Sequence, residues 1–117
     1  IRRTALLFAK IADALGLLHA RGLVHRDVKP ANLILDREGE PVLVDFGLAR
    51  EEGSPRLTQT GVPIGTPVYM APEQLLGSAS AGSAADLYSL GVSLYECLCL
   101  RPPFLAADRE TLYRLIL

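Results

Sequence analysis

The chain has 117 residues and a mass of 12.6 kDa, a length that holds one domain or part of one and excludes two independent cores. Half of the residues are hydrophobic, 21% are charged and the mean hydropathy is +0.26, which excludes a disordered chain. Twelve Lys and Arg against thirteen Asp and Glu leave a formal charge of −1, so there is no basic field for nucleic acid or an anionic lipid surface.

In chain order, the first periodic segment covers 4–20. Leu7, Ile11, Leu15 and Leu18 recur at helical spacing with Phe8 and Ala12 beside them, and Gly22 is the expected stop. Two short apolar runs follow, Leu33-Ile34-Leu35 and Val42-Leu43-Val44. The polar stretch from Asp36 to Pro41 between them predicts a hairpin. Residues 47–65 show no sustained period and read as a long loop, a length that is uncommon without a function. The longest uncharged stretch, Leu57 to Pro72, is broken by three prolines and two glycines and is too short to span a bilayer. A second helix is predicted from about Asp86, placed as its N-cap, to Leu100. Its near-continuous apolar residues predict burial all round. Arg101-Pro102-Pro103 ends it, and a third, amphipathic helix begins near Asp108. Cys97 and Cys99, two apart on a helix, cannot pair locally and are expected to be small buried hydrophobes in a reducing compartment. The first residue is Ile1, and the last residues stop within a helical pattern, so both ends read as cut. The reading is α+β, mostly helical with one small hairpin.

The residues with chemical content are His25-Arg26-Asp27-Val28-Lys29-Pro30-Ala31-Asn32 and, after the hairpin, Asp45-Phe46-Gly47. Two carboxylates and a carboxamide are hard oxygen ligands of the kind magnesium accepts, and a nearby lysine is a point charge for phosphate. Taken singly, such Asp and Asn residues equally serve polar turns, satisfying local backbone donors.

In combination these strings resemble the serine/threonine branch of the eukaryotic-type protein kinases, with a bacterial flavour in Gly65-Thr66-Pro67-Val68-Tyr69-Met70-Ala71-Pro72-Glu73-Gln74. His25-Arg26-Asp27 with Asn32 matches the catalytic loop and Asp45-Phe46-Gly47 the metal-binding triplet. Ala71-Pro72-Glu73 matches the end of the activation segment, and Asp86-Leu87-Tyr88-Ser89-Leu90-Gly91 a buried helix. The resemblance implies the large lobe of a kinase, with the hairpin bearing the catalytic and metal-binding loops. It implies Asp27 as catalytic base, Asn32 and Asp45 as magnesium ligands, and Lys29 as the charge on the transferred phosphate of ATP. It further implies Thr66 as a residue bonded to Asp27 and Lys29. His25 is read as a packed, hydrogen-bonded residue, and His19 as structural. Asp86 is implied to accept backbone donors from the catalytic loop as well. Glu96 matches a position that contacts a substrate arginine in some relatives, or else is a lone polar residue at a helix end. Arg26 and Arg50 are implied to meet phosphate on Thr58 or Thr60 in the activation segment.

This 117-residue sequence contains no Gly-x-Gly-x-x-Gly loop and no Val-Ala-Ile-Lys strand, and Leu100 stands where relatives commonly have glycine. The expectation is a partial kinase domain over 1–117, with the small lobe and last helices absent from these residues. The parent is expected to be a cytoplasmic, ATP- and Mg2+-dependent enzyme acting on Ser/Thr hydroxyls of proteins, whether or not a segment elsewhere anchors it to a membrane. The 117 residues alone are expected to be inactive. The alternative is a kinase-fold scaffold without turnover.

Overall fold

The computed structural model describes residues 1–45, 50–51, 67–77 and 81–117, the side chains of 50 and 51 excepted. The first stripe forms helix α1, Arg2–His19, which ends where Gly22 takes the left-handed φ of +71° that turns the chain back. Strand β1, Leu23–Val24, follows and pairs antiparallel with β4, Arg50–Glu51. Between them the chain makes a 3₁₀ turn, Pro30–Asn32, and the predicted hairpin of β2, Leu33–Leu35, and β3, Pro41–Leu43, in the register Leu33 to Leu43. A second 3₁₀ turn, Pro67–Tyr69, leads into the short helix α2, Pro72–Leu75, whose first free N–H, that of Ala71, donates to Gln74 Oε1 at 2.8 Å. Helices α3, Ser83–Cys99, and α4, Arg109–Ile116, complete the fold. The class is α+β, mainly helical, with two two-stranded antiparallel sheets among the described residues.

One apolar cluster joins these elements. Phe8, Ile11 and Leu15 of α1 pack with Val28 of the loop after β1, Leu43 of β3 and Leu90 of α3. Burying each such side chain contributes about 1.5–3 kcal/mol against the chain entropy. The cluster therefore fixes α1, the hairpin and α3 around the 25–32 loop. At the other end of the fold, α4 starts near Asp108 as predicted, and Asp108 caps it. The Thr111 backbone N–H donates to Oδ1 and the Thr111 hydroxyl to Oδ2, both at 2.8 Å, and these bonds hold the carboxyl below the usual carboxylate range.

Helix α3 departs from expectation in three ways. It begins at Ser83, so Asp86 lies inside the first turn rather than at the N-cap, which is Gly82. It is not buried all round. Its inner face carries Asp86, Ser89 and Ser93 beside Ala85, Leu90 and Val92, while Leu87, Tyr95 and Leu98 are exposed. The inner face is polar because it meets backbone groups of two loops that need hydrogen-bond partners. Cys97 and Cys99 are likewise exposed rather than buried, as neither belongs to the apolar cluster that α1, the hairpin and α3 share. Burial of part of its surface and the nearby Glu96 carboxylate push the Cys97 thiol up, away from the reactive thiolate.

Leu100 closes α3 with a left-handed φ of +57° and is 90% exposed, so its side chain contributes strain and little packing. Leu100→Gly is expected to stabilise the protein by about 0.5–1 kcal/mol, the relieved strain exceeding the added freedom of glycine in the unfolded chain. The denaturant midpoint should rise with the slope unchanged; a midpoint at or below the parent's would refute the strain.

Candidate active site

The 25–32 loop leaves β1 and returns into β2, so both its ends are pinned by strands. Within it, Arg26 has φ +69°, a left-handed conformation that costs a non-glycine residue about 1–2 kcal/mol. Asp86 of α3 compensates. Its Oδ2 accepts the His25 backbone N–H at 2.8 Å and its Oδ1 the Arg26 N–H at 2.7 Å. His19 Nε2, at the end of α1, donates to Oδ2 at 2.8 Å. The carboxylate is 1% exposed and takes all three donors, the condition under which a buried charge is tolerated.

His25 is fully buried, and both ring nitrogens are engaged. Nε2 lies 3.2 Å from the Val44 carbonyl, and Nδ1 accepts the Asp27 N–H at 3.3 Å, which sets the Nε2–H tautomer. The ring thus links the 25–32 loop to the residue before Asp45 and is a packed support, as read from the sequence.

The next residues converge. Asp27 Oδ2 accepts Lys29 Nζ at 2.8 Å and Asn32 Nδ2 at 3.1 Å, and Asn32 Nδ2 also donates to the Asp27 carbonyl at 2.7 Å. Both Asp27 and Asn32 are buried. Two acceptors are left over: Asp27 Oδ1 and Asn32 Oδ1 take no hydrogen bond among the described residues. Pro30 begins the 3₁₀ turn that brings Asn32 back under Asp27, and it needs no donor at that position. Asp45 sits just past β3, where Val44 N–H bonds the Asn32 carbonyl at 2.9 Å, so the carboxamide and the carboxylate stand at the same end of the hairpin. Asp45 is exposed, with φ +66°, a conformation Asp tolerates better than most residues. One carboxylate and one carboxamide oxygen, with room for solvent, suit magnesium, which keeps several waters and takes few protein ligands.

Beneath the loop, Ser89 Oγ donates to the Tyr69 carbonyl at 2.6 Å, and Ser93 Oγ to the Ser89 carbonyl at 2.8 Å. Tyr69 OH donates to Glu96 Oε2 at 2.7 Å, and burial together with this carboxylate pushes the phenol well up from its ordinary value. Glu96 therefore has a partner within the chain. His19, Ser89 and Ser93 belong to this support and were missed by motif reading. His19 had one signal, since it continues the buried stripe Phe8, Ile11, Leu15 at helical spacing. Of the remaining sequence-predicted residues, Thr58, Thr60, Thr66 and the Arg50 side chain lie outside the described residues, as do Phe46 and Gly47.

A loop bearing a buried acid, lysine and asparagine beside a hairpin-borne second acid offers the hard oxygens and the point charge that magnesium and phosphate take. The protein kinase domain matches residues 2–117, and the chain belongs to that family. It is 52% identical over 103 residues to the serine/threonine-protein kinase PkaA of Streptomyces coelicolor, covering 86% of this chain and 19% of that protein. It is 46% identical over 113 residues to the DNA damage-responsive serine/threonine-protein kinase RqkA of Deinococcus radiodurans, covering 95% and 16%. It is 44% identical over 111 residues to the serine/threonine-protein kinase AfsK of Streptomyces coelicolor, covering 94% and 14%. The chain thus spans 14 to 19% of the length of these curated relatives.

Proposed function

We propose that this chain is the central part of the large lobe of an ATP-dependent protein serine/threonine kinase, one domain segment over 1–117. The observation that carries the reading is the convergence of Lys29 Nζ and Asn32 Nδ2 on one oxygen of buried Asp27, which leaves the other oxygen open. Phosphoryl transfer asks for positioning and charge neutralisation more than for covalent groups from the protein. Asp27 Oδ1 accepts the proton of a Ser or Thr hydroxyl as the oxygen–phosphorus bond forms and the bond to the leaving phosphate oxygen breaks. Lys29 orients Asp27 and supplies positive charge beside the transferred group. Asn32 Oδ1 and the Asp45 carboxylate would hold magnesium, which when bound neutralises charge on the phosphates. Thr66 is proposed to pair with Asp27 and Lys29. Arg26 and Arg50 are proposed to receive phosphate on Thr58 or Thr60, since a phosphothreonine adds about −1.5 to −2 charges that arginine binds through a fork. The names of three relatives as serine/threonine kinases support the substrate class. Among the described residues no helix is long and apolar enough to cross a membrane, and a cytoplasmic site of action is part of the proposal.

The test is the full-length protein carrying this segment, incubated with labelled ATP, magnesium and a generic basic protein. Label is expected on Ser and Thr of the substrate and on Thr58 or Thr60 of the enzyme. Asp45→Asn should lower transfer about a hundredfold or more. ATP binding without transfer would replace this reading with a scaffold, and label confined to tyrosine would overturn the substrate class.

A further inference from the structure

Asp86 reaches the catalytic loop through the backbone N–H groups of His25, on Oδ2, and Arg26, on Oδ1, so both of its oxygens are engaged. A buried carboxylate keeps lone pairs beyond those two bonds, and its charge is tolerated where further donors meet it. A third donor, from a different helix, does so here. His19 is that donor: its Nε2 lies 2.8 Å from the same Oδ2 that accepts His25 N–H. Its side chain is 15% exposed and that of Asp86 1%, so water does not readily take its place. No lysine or arginine pairs with Asp86 among the described residues, and His19 is its sole side-chain donor there.

We propose that His19 is a positioning residue for phosphoryl transfer, fixing the Asp86 carboxylate so that the two loop amides, and with them Asp27, keep one geometry. The inference rests on the kinase reading above. The loop needs such a hold because Arg26, the residue before Asp27, sits at φ +69° and has lower-energy backbone conformations to relax into once its amide is released. A shift of about 1 Å in a reacting group can cost about a hundredfold in rate. His19 is engaged with buried Asp86 and makes no hydrogen bond to the 25–32 loop or Asp45 among the described residues, so its loss should appear in turnover and not in ATP affinity.

The experiment uses the full-length kinase carrying this segment, with His19→Leu and His19→Gln compared well below the thermal midpoint. Leu keeps bulk without a donor; Gln keeps an N–H donor of similar reach. His19→Leu is expected to lower kcat about tenfold with KM for ATP within about twofold, and His19→Gln to recover most of the loss. Hydrogen exchange should show the Arg26 amide less protected in His19→Leu, with α1 and α3 protected as in the parent. Wild-type kcat in the Leu variant, a Gln variant as slow as Leu, or protection lost equally across α1 and α3 would each overturn the proposal. If the Leu variant does not fold, the Gln variant decides: a slow, folded Gln variant refutes the donor role and one near the parent's rate supports it. A parent protein that transfers no phosphate would fail the kinase reading, while the exchange of the Arg26 amide would still decide whether His19 holds the loop.

Discussion

Asp27→Asn in the full-length protein is expected to lower the kcat of the proposed phosphoryl transfer by about 10²–10⁴-fold while KM for ATP and the thermal midpoint stay close to the parent's. The substitution is isosteric at a buried position, so the loop keeps its shape. What changes is the placement of hydrogen. Lys29 Nζ and Asn32 Nδ2 both donate to Oδ2, so the carboxamide of the variant must turn its oxygen toward them. Its NH2 then points where the substrate hydroxyl approaches, presenting a donor where an acceptor is needed. Steady-state kinetics beside calorimetry checks this. A folded variant within tenfold of the parent would remove Asp27 from the role of base.

Asp86→Ala is expected to be the most destabilising single change in the described residues, at about 3–5 kcal/mol. Three donors converge on this carboxylate, two of them backbone amides with no alternative side chain nearby. An unsatisfied buried N–H costs about 1–3 kcal/mol, and here two appear together. Against a total stability of about 5–15 kcal/mol this is a large fraction. Asp86→Asn keeps one acceptor oxygen and should fall between parent and Ala. Denaturant unfolding of the three proteins gives the ranking, and a loss below about 1 kcal/mol for Ala would mean that the loop does not depend on this residue.

Much of this was legible in the sequence because the signals were local. The i, i+3, i+4 stripe of Phe8, Ile11 and Leu15 marks α1, the apolar runs around Asp36–Pro41 mark the hairpin, and the amphipathic pattern after Asp108 marks α4. The motif at 25–32 located Asp27, Lys29 and Asn32 because their spacing in sequence is their spacing around one turn. Helix α3 was misread because what buries a helix face is what packs on it, and that is not written within the helix. Its run of apolar residues promised burial, yet the loops it supports present amides and carbonyls, so Asp86 and Ser89 face inward with Ser93, which bonds its own helix, and Leu87, Tyr95 and Leu98 face outward. Asp86 was taken for an N-cap because it precedes the apolar run. The helix starts a turn earlier, where Ser83-Ala84-Ala85 extend it and an acid in the first turn still favours the dipole. His19 reads only as structural in the sequence, because no motif there supplies its partner and only the fold brings Asp86 of α3 to it.

The grip of Asp86 on the loop has a bearing on how such an enzyme can be altered. It holds peptide groups, and peptide groups are the same whatever side chain they carry. Residues that tolerate the left-handed φ of +69° can occupy position 26 without surrendering the hold, whereas proline is barred and β-branched residues are strained there. A lineage, or an engineer, can therefore exchange the Arg26 side chain, and with it any response to a phosphorylated partner, while the anchoring of the neighbouring Asp27 is inherited unchanged. The proposed control and the proposed chemistry sit on adjacent residues of one loop, yet they are separable, because the hold on position 26 is made to its peptide group and not to its side chain.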